Sequence, residues 1–211
     1  VPPLSFIPVA EENGLIVKIG EWVLMSACLA AASWPGELVV AVNVSPLQFK
    51  ADTLLVTVAA ALQRSGLAPS RLELEITEGA LLADTDNVLA TLHALRELGV
   101  KISMDDFGTG YSSLSYLQKF PFNKIKIDRS FVSNPDADSE AILRAVSGLG
   151  SSLGMAITAE GVETAEQLDR VRTKECTHVQ GYLTGRPMAQ DQVPVFLSAH
   201  EQEKLDVRVD L

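Results

Sequence analysis

The sequence predicts an α/β fold built as a closed barrel of parallel strands. Three observations predict it. Strand-like runs alternate with helical segments along the chain, several of those strands are polar on one side only, and acidic or amide residues gather at their C-terminal ends. Alternating β and α units joined by right-handed crossovers build a parallel sheet. Crossovers usually cover both faces of an open sheet, whose strands then read as continuous apolar runs. A polar face among so many helices fits a barrel better, with its working groups at the C-terminal strand ends.

The elements follow in order. Ser5 to Asn13 predicts a short helix ended by Gly14, and Leu15 to Trp34 a longer one stopped by Pro35-Gly36. Leu38 to Val44 is the first strand, and Leu47 to Ser65 a helix closed by Gly66. Leu72 to Thr77 is a strand, and Asp86 to Leu98 a helix with Gly99 as its C-cap. Val100 to Asp105 forms a strand, Ser112 to Lys119 a short helix, and Lys124 to Asp128 a strand. Asp138 to Leu153 is a helix, Met155 to Glu160 a strand, Thr164 to Arg172 a helix, and His178 to Leu183 the last strand. Asp191 to Ala199 is the last substantial helix; residues 1–199 read as one domain and 200–211 as a charged, exposed tail.

Side chains alternate along a strand. Glu73, Glu75 and Thr77, then Lys101, Ser103 and Asp105, then Lys124, Lys126 and Asp128 therefore share the polar side, continued by Thr158, Glu160, His178 and Gln180. Leu72, Leu74, Ile76, Ile125, Ile127 and Ile157 fall on the other side and should face the helices.

Composition narrows the function classes. With 211 residues, 47% of them hydrophobic, the chain can bury a sizeable core. A formal net charge of −10 argues against duplex DNA or an anionic membrane surface as partner. Cys28 and Cys176 lie far apart without metal-ligand spacing, so neither a disulfide framework nor a zinc site is expected. No run of about 18 apolar residues marks a membrane span, and no leader of signal-peptide type opens the chain. The domain is expected in the cytoplasm, whether or not a parent protein is membrane-anchored.

Met104-Asp105-Asp106-Phe107-Gly108-Thr109-Gly110-Tyr111-Ser112-Ser113 is the most informative stretch. Adjacent carboxylates at a strand's end need a cation or a shared proton to be comfortable, and glycines beside them let backbone approach a ligand closely. The polar residues near the strand ends are Asn43, Glu75, Asp105 with Asp106, Lys126, Glu160 and Gln180. Hard oxygen ligands on several strands suit Mg²⁺ or Mn²⁺. Neighbouring carboxylates can bridge two metals about 3.5–4 Å apart, and a lysine can offset charge and orient or deprotonate a water. Taken singly, each has a plainer reading. The Asp pair can cap a turn, Glu75 and Glu78 can be a solvated strand end, Asn43 a turn former, Lys126 an ion-pair partner and Gln180 a core amide. His93 and His178 read as ordinary structure. The joint pattern is what favours a site.

Ordered stretches over nearly the whole chain resemble the EAL-domain family of cyclic di-GMP phosphodiesterases. They are Phe6-Ile7-Pro8, Ala10-Glu11-Glu12 and Gly14-Leu15-Ile16; Asn43-Val44-Ser45 with Gln48-Phe49; and Leu72 through Glu78. Asp105 through Ser113, Lys124 through Phe131, Ala159 through Thr164, Gln180-Gly181-Tyr182 and Arg186-Pro187 continue the match. The resemblance implies a TIM-like (β/α)8 barrel that hydrolyses cyclic di-GMP to linear pGpG with two Mg²⁺ or Mn²⁺ ions per site. It implies Asn43, Glu75 and Asp105 around one metal, and Asp105, Asp106 and Glu160 around the second. Lys126 would hold the catalytic water, with Glu160 and Asp106 beside it in catalysis. Gln48, Gln180 and Glu163 would lie near substrate, and Glu78 would anchor the loop carrying Gly108 and Gly110. That loop lies near the family's dimer contact, so a homodimer is implied, as are flanking sensory or diguanylate-cyclase-type domains in a parent protein.

The chain departs from the family's pattern at its start. The Glu-Ala-Leu motif that supplies a first metal ligand is absent, and with it two N-terminal barrel strands. The 211 residues are therefore expected to be weakly active or inactive alone. The alternative function is a cyclic di-GMP receptor that binds without cleaving.

Overall fold

Residues 1–51, 53–81, 85–108 and 114–204 are described by the computed structural model. The strands are β1 (Val40–Val44), β2 (Leu72–Thr77), β3 (Lys101–Phe107), β4 (Lys124–Ile127), β5 (Ala156–Glu160) and β6 (His178–Gln180). They form one six-stranded sheet in chain order, and every neighbouring pair is parallel. The sheet curls into a partial TIM-like barrel with β1 and β6 at its two ends. The expected fold class, including the partial barrel, is thus the one observed.

The helices are α1 (Pro3–Glu12), α2 (Leu15–Ala32), α3 (Pro46–Lys50), α4 (Leu54–Ser65), α5 (Glu78–Leu81), α6 (Thr85–Glu97), α7 (Leu114–Lys119), α8 (Arg129–Ser133), α9 (Ala137–Ser152), α10 (Ala165–Arg172) and α11 (Val193–Lys204). The core lies between them and the outer side of the sheet. Leu72, Leu74, Ile76, Ile102, Met104, Ile125, Ile127 and Ile157 are all buried there. Each such side chain contributes about 1.5–3 kcal/mol relative to leaving it in water. α2 shows the matching helical stripe: Ile16, Gly20, Leu24, Cys28 and Ala31 are its buried residues.

Several boundaries differ from the sequence reading for local reasons. The helix expected over Leu47 to Ser65 is two helices. Ser45 and Gln48 close a capping box around α3, and α4 starts afresh after Thr53. α5 and α8 occupy stretches to which the sequence assigned no element. β4 ends at Ile127 because the Asp128 side chain accepts from Ser130 N at 2.9 Å and caps α8. β6 stops at Gln180, short of Leu183, where Gly181 begins a turn stapled by Thr184 N donating to Gly181 O at 3.1 Å. α11 runs on to Lys204, past Ala199. The expectation of no membrane-length apolar run is also corrected: α2 has 18 residues of mean hydropathy 1.7, enough by length and composition to cross a membrane, a test that core helices pass too.

Candidate functional site

The inner side of the curled sheet is stacked in layers of polar side chains. In the lower layer Lys124 Nζ donates to both carboxylate oxygens of Glu73, at 2.7 and 2.8 Å. One layer towards the C-terminal strand ends, Lys126 sits on β4 with 3% of its surface exposed. Its Nζ lies 2.9 Å from Glu75 Oε1, 2.9 Å from Asp105 Oδ1 and 2.6 Å from Glu160 Oε1. Strands β2, β3 and β5 thus each send one carboxylate to a single ammonium on β4. A buried charge is tolerable only when paired in this way.

Electrostatics follow from this crowding. Burial raises the Glu75 carboxyl above its ordinary value even though Lys126 pulls it down. Burial likewise raises Glu160, again opposed by Lys126. For Asp106 burial leads, and the neighbouring Asp105 charge pushes in the same direction. Burial alone would depress Lys126, but the charge of Glu75 and the bonds to Glu160 and Asp105 outweigh it, and its pKa is raised. The lysine is held protonated.

A backbone irregularity brings the adjacent acids together. Along the β3–β4 ladder Met104 pairs with Ile125 and the next pair is Phe107 with Ile127, so β3 carries one extra residue at Asp105-Asp106. Such a bulge re-aims side chains that would otherwise alternate between faces. Asp106 takes φ 53, a left-handed conformation that Asp tolerates better than most residues. The result is a group in which carboxylate oxygens of Asp105, Asp106 and Glu160 lie within 4.8 Å of one another. Three hard oxygen donors at that spacing fit a divalent cation such as Mg²⁺ or Mn²⁺.

The remaining expected site residues stand on several different elements. Asn43 is exposed near the end of β1, in register with Glu75. With Thr77 and Asp106 it borders a cavity of about 640 Å³ that reaches to α1 and α2. Gln48 is buried beside that cavity, where its Oε1 accepts from Ser45 N at 3.0 Å. Gln180 is exposed on β6 in register with Glu160, and its backbone oxygen accepts from Val162 N at 3.1 Å. Glu163 is exposed beyond β5. Glu78 opens α5, and its Oε1 accepts from Gly108 N at 3.4 Å. Gly110 lies outside the described residues.

Comparison with known proteins places the chain. The model of the EAL domain matches residues 1–187. The chain belongs to the EAL domain family. This EAL domain is 54% identical over 201 residues to an uncharacterized signaling protein of Caulobacter vibrioides, covering 94% of this chain and 25% of that protein. It is 45% identical to the bifunctional diguanylate cyclase/cyclic di-GMP phosphodiesterase MucR of Pseudomonas aeruginosa, covering 92% of this chain and 29% of MucR. The chain therefore spans about a quarter of the length of these relatives. The solved MucR phosphodiesterase complex with c-di-GMP superposes with a TM-score of 0.88 at 45% identity, covering 92% of this chain and 81% of that one. The manganese and cyclic di-GMP complex of Klebsiella pneumoniae BlrP1 superposes with a TM-score of 0.76 at 30% identity, covering 90% and 49%.

Sequence reasoning missed the bulge and the close approaches around it. Gly161, at φ 69, has no room for a side chain because an added Cβ would lie 2.5 Å from Arg129 Cβ. Nothing in the spacing of either residue announces that contact.

Proposed function

We propose that this EAL domain hydrolyses one phosphodiester of cyclic di-GMP to give linear pGpG, with Mg²⁺ or Mn²⁺ as cofactor and two ions per site. The observation that carries the reading is the cluster of Asp105, Asp106 and Glu160, of which Asp105 and Glu160 pair with the protonated Lys126. The solved relatives that hold c-di-GMP and manganese support it.

Asn43, Glu75, Asp105, Asp106 and Glu160 are the residues that would hold the metal ions. When bound, the ions neutralise the acidic cluster, draw in the anionic substrate and stabilise charge developing on the phosphoryl oxygens. Lys126, kept protonated, orients the attacking water rather than deprotonating it. Glu160 and Asp106, whose carboxyls burial raises, are placed to accept the water's proton. The water oxygen joins phosphorus, the bond to the 3′ oxygen breaks, and that oxygen takes a proton from solvent, to which the carboxyl afterwards returns the one it accepted. Gln48, Gln180 and Glu163 serve the substrate, while Glu78 steadies the turn at Gly108 and the loop through Gly110.

The catalytic unit extends over residues 1–199; the charged tail expected from 200 begins inside α11, and its residues 205–211 lie outside the described ones. The 211-residue chain alone is weakly active or inactive, for want of the Glu-Ala-Leu glutamate. In its parent protein it pairs as a homodimer beside sensory or cyclase-type domains, in keeping with the greater length of its relatives. It acts in the cytoplasm and touches neither DNA nor membrane. Product chromatography and calorimetry on the parent protein with cyclic di-GMP and Mn²⁺ test the reading. Linear product supports it, whereas tight binding without product assigns a receptor.

A further inference from the structure

Asp106 is a branched, charged residue in a left-handed conformation, and Gly108 two positions on stands at φ 99. A non-glycine residue in that region persists only where its surroundings hold it there. The Glu78 contact to Gly108 N is long, at 3.4 Å, so it is a weak restraint. A second restraint is apolar. A Cβ built on Gly108 would fall 2.9 Å from Cε2 and 3.2 Å from Cζ of Phe131, so the ring edge rests directly on the Gly108 backbone.

Phe131 belongs to α8, the short helix that the sequence did not announce. α8 touches both carboxylate-bearing loops, because Arg129 packs on Gly161, the residue after Glu160, in the same way that Phe131 packs on Gly108. The helix is itself tied down from outside. Arg170 on α10 donates from Nη2 to the backbone oxygens of Phe131 and Val132, and its Nε lies 3.4 Å from Glu140 Oε1 on α9. Asp128 caps its other end.

We propose that α8 is a brace that sets the distance between the β3 and β5 carboxylates, with Phe131 the positioning residue for Gly108 and, through it, for Asp106. Phe131 touches no reacting atom. Its ring sits against the Gly108 turn on the α8 side, so losing the ring edge lets that turn, and Asp106 with it, shift towards α8. Groups that orient metal ligands from behind typically govern metal affinity by about ten- to hundredfold.

The inference rests on the metal reading above, and the test separates the two. Phe131→Leu keeps an apolar side chain on α8 but is too short to reach Gly108. In the full 211-residue chain, amide exchange at Gly108 is followed by NMR, Mn²⁺ affinity by water-proton relaxation, and global stability by urea unfolding. The expected result is faster Gly108 exchange and Mn²⁺ affinity lower by about tenfold or more, with exchange at core amides such as Ile125 unchanged. Gly108 exchange and Mn²⁺ affinity both within about twofold of the parent overturn the brace. If the unsubstituted 211-residue chain binds no Mn²⁺, Gly108 exchange alone decides the brace, and the metal reading is decided by Mn²⁺ titration of the parent protein. Should Phe131→Leu not fold, Phe131→Met, which is longer and flexible but lacks the flat edge, is judged by the same two criteria.

Discussion

Glu160 Oε1 lies 2.6 Å from Lys126 Nζ, the shortest of three ion pairs that this lysine makes with carboxylates from three other strands. Glu75, Asp105 and Glu160 are thus held around one positive charge. Lys126→Met keeps much of the side chain's volume and removes that charge. Breaking a buried pair from one side costs about 3–5 kcal/mol, because the partners are left uncompensated. We expect a loss of that order in urea unfolding with chelator present, and recovery of part of it on adding Mn²⁺. In the parent protein, turnover should fall by about 10²-fold or more, the cost of an attacking water no longer held in place. An unchanged midpoint in chelator would show that the lysine does not stabilise the cluster.

Asp106 separates stability from function. Asp106→Gly relieves a left-handed backbone that disfavours L side chains by about 1–2 kcal/mol, against the larger chain entropy that glycine loses on folding. The variant is expected to be as stable as the parent or slightly more so, while its Mn²⁺ affinity drops by about tenfold or more. Thermal melts and relaxation titrations on the same sample check both halves. A clear fall in melting temperature with unchanged Mn²⁺ binding would mean that the carboxylate supports the fold rather than a cation.

Much of the fold was legible because local pattern and tertiary demand agree. Leu72, Leu74 and Ile76 alternate with Glu73, Glu75 and Thr77, and that alternation survives intact as β2, buried outward and polar inward. The identity of the acidic cluster was legible for the same reason, since each residue stands near a strand's end. What was not legible is non-local or too short to carry a period. The β3 bulge depends on how Phe107 pairs with Ile127, a partner 20 positions away. α8 is only 5 residues long, and nothing in Arg129–Ser133 has helical periodicity. The approach of Phe131 to Gly108 is fixed by packing alone. Gln48 shows the converse: a residue singled out for a ligand is also the reciprocal cap of α3, which no motif distinguishes from a binding role.

The stability lost in acid should come from carboxyls outside the metal cluster, because Glu75, Glu160 and Asp106, which burial raises, take up their protons earlier and in favour of the folded state. Burial works to raise Asp128, but bonds from the Ser130 hydroxyl and backbone outweigh it, and its carboxyl is lowered. Asp136 is lowered by the Ser139 backbone and side chain at the start of α9, and Glu140 chiefly by Lys174. A carboxyl lowered on folding releases its proton more readily in the native state than in the unfolded one. Its contribution is therefore complete above the ordinary carboxylate range and is lost as pH falls through the depressed value. The melting temperature in chelator should decline on acidification below about pH 4. Asp136→Asn keeps the capping shape without the titration, so its decline should be shallower. Parallel curves for the two proteins would remove Asp136 from the account.

Gly181 tests how rigidly the β5 and β6 ends are joined. A Cβ there would lie 2.2 Å from Val162 O and 2.4 Å from Val162 N, both backbone atoms that cannot rotate aside. Leu183 N and Gln180 O also bond to Val162, at 3.0 and 3.1 Å, so the two segments are stitched on both sides of the contact. Gly181→Ala must therefore separate them, at about 1–3 kcal/mol, the usual cost of overpacking. Exchange should quicken at the Val162 and Leu183 amides while β1 to β3 keep their protection. Gly14→Ala is the control: at φ 76 with nothing within 4 Å of an added Cβ, it suffers backbone strain without collision. Its effect should stay near α1 and α2 and leave the β5–β6 amides alone. If Gly181→Ala leaves the Val162 and Leu183 amides as slow as in the parent chain, the strand ends are softer than this packing requires.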